Sequence, residues 1–458
     1  MRYNYFIKSY NVLILVISIF CLTACKKYLD LKPNKSQVVP STLADLQALL
    51  DRHDQINEFG PQLLDMVADD YYLTTSAWQS LPDEYDRLNY IWDKDASYLS
   101  NWNQTYQHPV YYANVVLDQL AQIDFDESER TNYNNIKGAA LYIRAFAFWE
   151  LAQLYCTGYS SDAANDMGIV LRLSSNIEEK STRSTVQKTY DQIISDLKAA
   201  AELLPESTAF PTRPNKTAAY GALARTYLSM RDYTNASYYA DLCLQKYNSL
   251  IDFNTLVPVG NPPIAQFNKE TIYYNHPGYT PALNNSRAKI DSVLYKLYNT
   301  NDLRKTVFFK SNSDGTFGFQ GSYASRQGEY MPFDGIATDE MYLIRSECFA
   351  RAGNKDAALA DLNLLIGKRW KNNGSFVPFT AVSASDALNI ILMERRKELC
   401  FRGVRWSDLR RFNLDGANIN LSRMLNGTSY LLPANDTRWT LLIPKEIITI
   451  THLPQNVR

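Results

Sequence analysis

The sequence predicts a mainly α-helical protein: a tetratricopeptide-like helical-repeat scaffold with a loop-rich, irregular second face. Three observations carry this. Residues 217–247 read as two helices with a break at Met230-Arg231-Asp232, and Tyr220, Ala224 and Tyr227, then Ala236, Ala240 and Cys243, keep helical spacing. Small residues beside aromatic rings let two such helices approach closely. The same spacings of 4, 3, 9, 4 and 3 recur in residues 341–368, through Tyr342, Ser346, Phe349, Ala358, Leu362 and Leu365. Between the two copies, residues 250–335 lose all period and hold Pro258, Pro262, Pro263, Pro277 and Pro281. An irregular insert of that length is a functional or a disordered segment, and its many aromatics argue against disorder.

From the N-terminus, Arg2 and Lys8 form a basic region ahead of an apolar run over residues 12–22. That run is too short to cross a bilayer as a helix. It ends in Leu22-Thr23-Ala24-Cys25, which resembles a bacterial lipobox. Residues 1–24 are thus expected to be a lipoprotein signal peptide, with Cys25 the lipidated first mature residue. An ordinary signal peptide or an anchor helix is the alternative. Residues 25–42 read as a tether with turn chemistry at Lys32-Pro33-Asn34-Lys35, and residues 43–458 as a single domain.

Thr42 is placed to cap a helix over residues 43–50. Residues 65–100 mix acids and aromatics without a clean period. Helical order returns through Trp102, Tyr106, Val110, Asn114, Leu117 and Leu120. A long amphipathic helix follows over residues 133–156, and Gly158 ends it. Another helix over residues 186–204 closes at Pro205, ahead of the pair at 217–247. Residues 385–412 form a last strong helix with a short break near Gly403, followed by a short apolar tail.

Charge is balanced, with 47 basic and 48 acidic residues, so no basic face for nucleic acid is expected. Tyrosine is abundant: 32 Tyr beside 7 Trp and 19 Phe are more rings than the repeats use, which suits a surface that meets sugars, peptides or protein partners. Cys156, Cys243, Cys348 and Cys400 sit singly in helical patterns and read as small buried hydrophobes, with their pairing left open. His53, His108, His276 and His452 are isolated, and no metalloprotease, CxxC or phosphate-loop motif occurs, so no metal or cofactor is expected. A calcium site in the Asp/Asn-rich loops stays open. Asp65, Asp69, Asp70, Asp83 and Glu84 offer carboxylates, but nothing singles out the spaced pair that a glycosidase needs. The run from Glu394 to Arg411 reads as a structural ion-pair network in which Glu394, Arg395 and Glu398 pair locally along one helix.

The aromatic loops are the expected binding surface. A sugar ring stacks its C–H face on Trp or Tyr, while amides, carboxylates and guanidinium groups take its hydroxyls. Trp78 with Tyr71, Tyr72, Gln79 and Asp83 offers that mix in the first irregular segment, and Tyr273, Tyr274, Tyr279, Tyr323 and Arg326 offer it in the second. Trp102, Trp149 and Trp406 fall in helical patterns and read as core.

The chain resembles the SusD/RagB family of outer-membrane lipoproteins. The resemblance rests on Tyr28-Leu29-Asp30 after the lipobox, on Arg144-Ala145-Phe146 with Leu151 and Tyr155, and on the run Asp339 to Glu347. It is closest over Glu394 to Arg411, and it returns at Leu442-Ile443-Pro444-Lys445-Glu446-Ile447 and Leu453-Pro454-Gln455-Asn456. Arg402 stands where the family usually has Glu, and Lys26 and Lys27 follow Cys25 in place of an acidic run. The resemblance implies a scaffold of about four helix pairs. It also implies a lipid-anchored, surface-exposed outer-membrane protein that captures a nutrient, most often a glycan. Such a protein delivers it without catalysis to a TonB-dependent, SusC-like transporter, and builds its binding platform from the variable loops. The alternatives are a peptide-binding, RagB-like uptake lipoprotein and a helical-repeat protein-interaction module without a small ligand.

Overall fold

The computed structural model describes residues 40–258, 262–326 and 331–458. The signal-peptide and lipidation expectations, Cys25 included, lie outside the described residues. Within them, Leu43–Arg458 forms one compact unit.

The predicted helices appear in order, with shorter ones that were not expected among them; the main ones are α1 (Leu43–Leu50), α2 (Thr75–Gln79), α3 (Glu84–Tyr90), α4 (Leu99–Thr105), α5 (Tyr111–Leu120), α6 (Arg130–Tyr155) and α7 (Val186–Leu203), of which α2 and α3 lie in the segment read as aperiodic. They continue as α8 (Lys216–Ser229), α9 (Tyr233–Lys246), α10 (Thr338–Arg351), α11 (Lys355–Gly367), α12 (Ala384–Glu398), α13 (Arg405–Leu414) and α14 (Lys445–Thr451). From α5 to α11 each helix packs on the next in the chain, and α12 closes on α10. This is the tetratricopeptide-like scaffold.

Local chemistry sets the boundaries. Asn215 caps α8 by accepting from the Ala218 amide at 2.8 Å, and Asp232 caps α9 by accepting from Asn235 at 3.0 Å. Arg231 between them turns the chain at φ 64°. Gly221 in α8 lets the insert approach, since a Cβ there would lie 2.5 Å from Ile336 Cγ2. Helices α4 and α5 are joined by a single π turn over Tyr106–Val110 that contains Pro109. Proline offers no N–H to the helix, and the wider turn absorbs that loss. Helix α6 is buried along most of its length and is the centre of the core. Trp102, Trp149 and Trp406 are core residues as expected, and the four cysteines are free and buried.

The break expected near Gly403 divides the last helical stretch into α12 and α13. Between α12 and α13, Phe401 and Gly403 both take left-handed backbone, and a Cβ on Gly403 would stand 2.8 Å from Asp334 Cβ. The ion-pair network of this region is real, but most of its partners are distant. Lys397 does pair locally with Glu394, at 2.7 Å. Arg395 reaches Asp408 at 2.9 Å, while Glu394 and Glu398 close on Arg304 of the insert at 2.5 and 2.9 Å. Arg369 then links Glu398 to Glu270 at 2.7 and 2.9 Å. Arg402 finds its partner in Asp339 at 2.9 Å. The network therefore fastens the insert to the scaffold.

Short antiparallel ladders tie down the irregular face. Strand β1 (Tyr71–Tyr72) pairs with β5 (Lys289–Ile290), and β4 (Thr271–Tyr273) pairs with β8 (Ile336–Ala337) directly before α10. Three local hairpins complete the set: β2 (Met167–Val170) with β3 (Arg183–Thr185), β6 (Phe309–Ser311) with β7 (Phe317–Phe319), and β9 (Leu421–Leu425) with β10 (Thr428–Leu432). The β4–β8 ladder closes the base of the insert against the scaffold.

Candidate functional site

The β1–β5 ladder brings the two irregular segments together, with Tyr72 opposite Lys289. Next to it, Arg287 Nε donates to Ser80 Oγ at 3.3 Å. Asn284 Nδ2 donates to the Tyr279 hydroxyl at 3.3 Å. Tyr279 is 56% exposed and Tyr72 37%. Trp78 is half-buried and holds its edge fixed by donating Nε1–H to the Arg87 carbonyl at 3.0 Å. Gln79 is exposed, and Asp83 caps α3 by accepting from the Tyr85 amide at 2.8 Å. A ring, an amide, a guanidinium and a hydroxyl thus stand at the junction of the two segments.

Arg423 of β9 is buried, lies 3.7 Å from the Tyr90 ring centroid and 4.4 Å from that of Trp92, and donates to the carbonyls of Met66, Ala68 and Tyr90. The β9–β10 turn adds a bond from the Asn426 amide to Thr75 Oγ1 at 2.7 Å, which holds the start of α2. Arg326 is exposed farther along the insert and donates to Glu58 Oε1 at 2.9 Å, beside His276.

Four of the expected ligand residues are inside the protein. Tyr71 is buried and donates to the Met66 carbonyl at 2.9 Å. Tyr273 is buried edge-on against Tyr142 and Phe146, and its hydroxyl accepts from Asn57. Tyr323 is buried beneath the Arg402 guanidinium, 4.3 Å away, and donates to Glu270 Oε2 at 2.5 Å. Tyr274 is buried as well. A ring with a satisfied hydroxyl packs as well inside as outside, and residue type alone does not separate the two. Conversely, the half-buried Arg287 and Asn284 stand at the junction and were not expected. The Asn/Ser/Arg turn around residue 284 was the available signal.

Three acidic residues of the first segment are already committed. Asp69 pairs with Arg405 at 2.7 Å, Asp70 faces Arg396 at 3.5 Å, and Asp65 accepts from the Gly403 amide at 2.9 Å. Burial pushes the Asp65 carboxyl up to about 8 and that of Asp70 up to about 6. Glu270, Asp339 and Glu398 converge closely enough to hold a cation. Arg369, Arg402 and Arg304 already supply the opposite charge there. Burial nonetheless pushes Glu270 up to about 7.

A separate cleft of about 440 Å³ lies among α4, α5, the loop after β2 and α14, lined by Trp102, Tyr106, Tyr111, Arg172, Ile177 and Ile447 among others. It is mostly apolar, and Arg172 spends its guanidinium on the carbonyls of Glu179 and Asn176. The sequence gives no sign of it, because its walls come from both ends of the chain.

Comparison with known proteins places this geometry in a family. Residues 27–228 match the family model described as starch-binding associating with outer membrane, and residues 270–439 match the model of the SusD family. The chain belongs to the SusD/RagB family. Among curated relatives, SusD-like protein P2 of Formosa agariphila is 23% identical over 372 residues, covering 68% of this chain and 71% of the relative. Among solved structures, a putative sugar binding protein of Bacteroides vulgatus superposes with a TM-score of 0.74 at 22% identity, covering 92% of this chain and 99% of that one. A SusD superfamily protein of Bacteroides thetaiotaomicron gives 0.75 at 20% identity, covering 91% and 100%. A laminarin-binding SusD-like protein gives 0.64 at 18% identity, covering 90% and 98%. These likenesses establish the SusD fold for the scaffold and the irregular face alike. Among the described residues, no helix is long and apolar enough to cross a membrane.

Proposed function

We propose that the protein binds a glycan without covalent chemistry and delivers it to a TonB-dependent, SusC-like transporter of the outer membrane. Cys25 carries the lipid anchor after removal of residues 1–24, residues 25–42 are the tether, and the domain is displayed at the cell surface. The ligand lies on the face built from Tyr72, Trp78, Gln79, Tyr279, Asn284 and Arg287. Tyr279 and Trp78 offer ring surface, and the amide and guanidinium groups take hydroxyls. Asp83 and Arg326 flank that face. The observation that carries the reading is the junction of the two irregular segments through Arg287 and Ser80. Membership of the SusD family supports it, as does the name of the laminarin-binding relative. The committed state of Asp65, Asp69 and Asp70 supports binding rather than hydrolysis.

The test is affinity electrophoresis of the chain lacking residues 1–25 against a panel of polysaccharides, with laminarin and starch included. Retardation by at least one polysaccharide, with no release of reducing ends, is expected. Retention of peptides with no polysaccharide retained would replace the glycan by a peptide.

A further inference from the structure

Glu150 and Asp334 meet inside the protein with too few donors between them. Glu150 lies on α6, and Asp334 precedes β8 in the insert; each is 2% exposed. Asp334 Oδ1 accepts from Asn275 Nδ2 at 2.8 Å. Asp334 Oδ2 and Glu150 Oε1 accept no hydrogen bond from any donor among the described residues. Both orphaned oxygens converge on one point. A Cβ on Gly60 would stand 2.7 Å from Asp334 Oδ2 and 3.1 Å from Glu150 Oε1. Only the missing side chain of Gly60 leaves the two carboxyl groups room to meet. A void of about 10 Å³, lined by Gly60, Glu150, Tyr273 and Asn275 among others, borders them.

Their charge is not balanced either. The nearest guanidinium, Arg225 of α8, spends its N–H groups on the carbonyls of Asp334 and Gly335 and on both oxygens of Glu340. Glu340 of α10 therefore cancels its charge. His276 of the insert turns to Glu58, with Nε2 3.5 Å from Oε1. Arg402 is paired with Asp339. Asp65, on the segment before β1, adds a third buried carboxyl whose own value is pushed up to about 8. Tyr142 of α6 and Tyr273 of β4 supply the remaining polar groups, both buried. Two buried carboxylates without a free cation cost several kcal/mol, and the economical remedy is a proton.

We propose that Glu150 and Asp334 share one proton, and that this proton latches the insert and the Gly60 loop to scaffold helix α6. Burial raises the carboxyls of both residues above the usual range, and the charge of Asp334 adds to the effect on Glu150. The latch sits beneath the exposed face. Gly60 forms a bridge with Pro277, and its carbonyl accepts from the Gly278 amide at 3.0 Å, one residue before Tyr279. The Asn275 carbonyl accepts from the amides of Asp334 and Gly335, each at 3.2 Å. Opening this junction frees both carboxyls to water, where they release the proton at ordinary values near 4. The closed state keeps it. Opening is therefore favoured tenfold per pH unit between about 4 and the raised value of the pair, and the dependence flattens above it.

The test is hydrogen exchange of the full chain in detergent from pH 5 to pH 9, corrected for intrinsic rates. The readout is peptides spanning residues 57–62, 273–278 and 331–337. The wild type is expected to lose protection there by about tenfold per pH unit. Glu150→Gln donates an amide N–H to Asp334 at every pH and is expected to lose about one proton's worth of that slope. Any contribution from Asp65 is common to both proteins. An unchanged slope in Glu150→Gln would overturn the proposal. So would a loss of protection on adding a chelator to the wild type at neutral pH, which would assign the pair to a metal ion. Should the variant not fold, infrared spectra of the wild type decide. A protonated-carboxyl stretch at neutral pH that loses one group's intensity in Asp334→Asn, with the Asp65 contribution common to both proteins, supports the shared proton, and an unchanged intensity contradicts it.

Discussion

Arg287 donates to Ser80 across 3.3 Å, although the two residues stand 207 positions apart in the chain. That contact joins the segment after α1 to the long insert. Each segment alone is a short irregular stretch on a helical scaffold. Together they set Ser80 beside Arg287 and, through Asn284, near the exposed Tyr279, which is the basis of the binding reading.

The face and the apolar cleft make opposite predictions. Trp78→Ala is expected to weaken glycan binding by at least about tenfold, or about 1.4 kcal/mol. Tyr111→Ala, in the cleft between α5 and α14, is expected to leave the dissociation constant unchanged within about twofold, well under 1.4 kcal/mol. Isothermal titration of the two variants against a glycan retained by the wild type checks both. The reverse pattern would move the site to the cleft.

Tyr273 belongs to the core, so its loss acts on stability. Tyr273→Ala removes a fully buried ring packed on Tyr142 and Phe146, together with one of the acceptors of the Asn57 amide. A cost of about 3–5 kcal/mol in urea unfolding is expected. The folded fraction is expected to bind glycan with wild-type affinity.

Arg304 is the hub of the buried ion network, with Asp302, Glu394 and Glu398 as partners. Arg304→Met leaves three carboxylates in the interior with Lys397 as the nearest remaining cation on Glu394 and Asp302. Removing one partner of such a cluster costs about 3–5 kcal/mol. Urea midpoints at neutral pH measure it, and partial recovery is expected at acid pH, where the stranded carboxylates protonate.

Asp65 gives the stability a pH slope. Its folded value is pushed up to about 8 by burial. The unfolded chain releases that proton above about 4, so the native state holds a proton that the unfolded state lacks. Stability contributed by the neutral carboxyl is present at low pH and is lost as pH rises towards about 8, by about 1.4 kcal/mol per unit. Asp65→Asn keeps an acceptor for the Gly403 amide and is expected to remove one proton's worth of this slope. Unfolding free energies at pH 5 and pH 8 for both proteins show whether it does.

Much of the scaffold was legible because a helix writes its packing into local spacing. The pairs α8–α9 and α10–α11 follow the recurrence of small and aromatic residues, and Asn215, Asp232 and Asn354 mark their starts. The site was legible only as a pair of segments. No local signal tells Tyr279, exposed, from Tyr273, buried, because the difference lies in the β4–β8 ladder and in α6, both far away in sequence. The two-residue strands β1 and β5 were equally hidden, since their pairing is set by the insert as a whole. The ion network shows the same limit. Helical spacing pointed to local pairs along α12, while Arg304 and Arg369 recruit those carboxylates from outside the helix.

The central claim is that a glycan sits across Tyr279 and Arg287. Isothermal titration of Tyr279→Ala/Arg287→Ala, against a glycan that the wild type retains, tests it most directly. Tyr279 is exposed, so the fold is expected to keep its thermal midpoint while the affinity falls by about a hundredfold, or about 2.7 kcal/mol. A doubly substituted protein that binds the glycan as the wild type does would contradict the account.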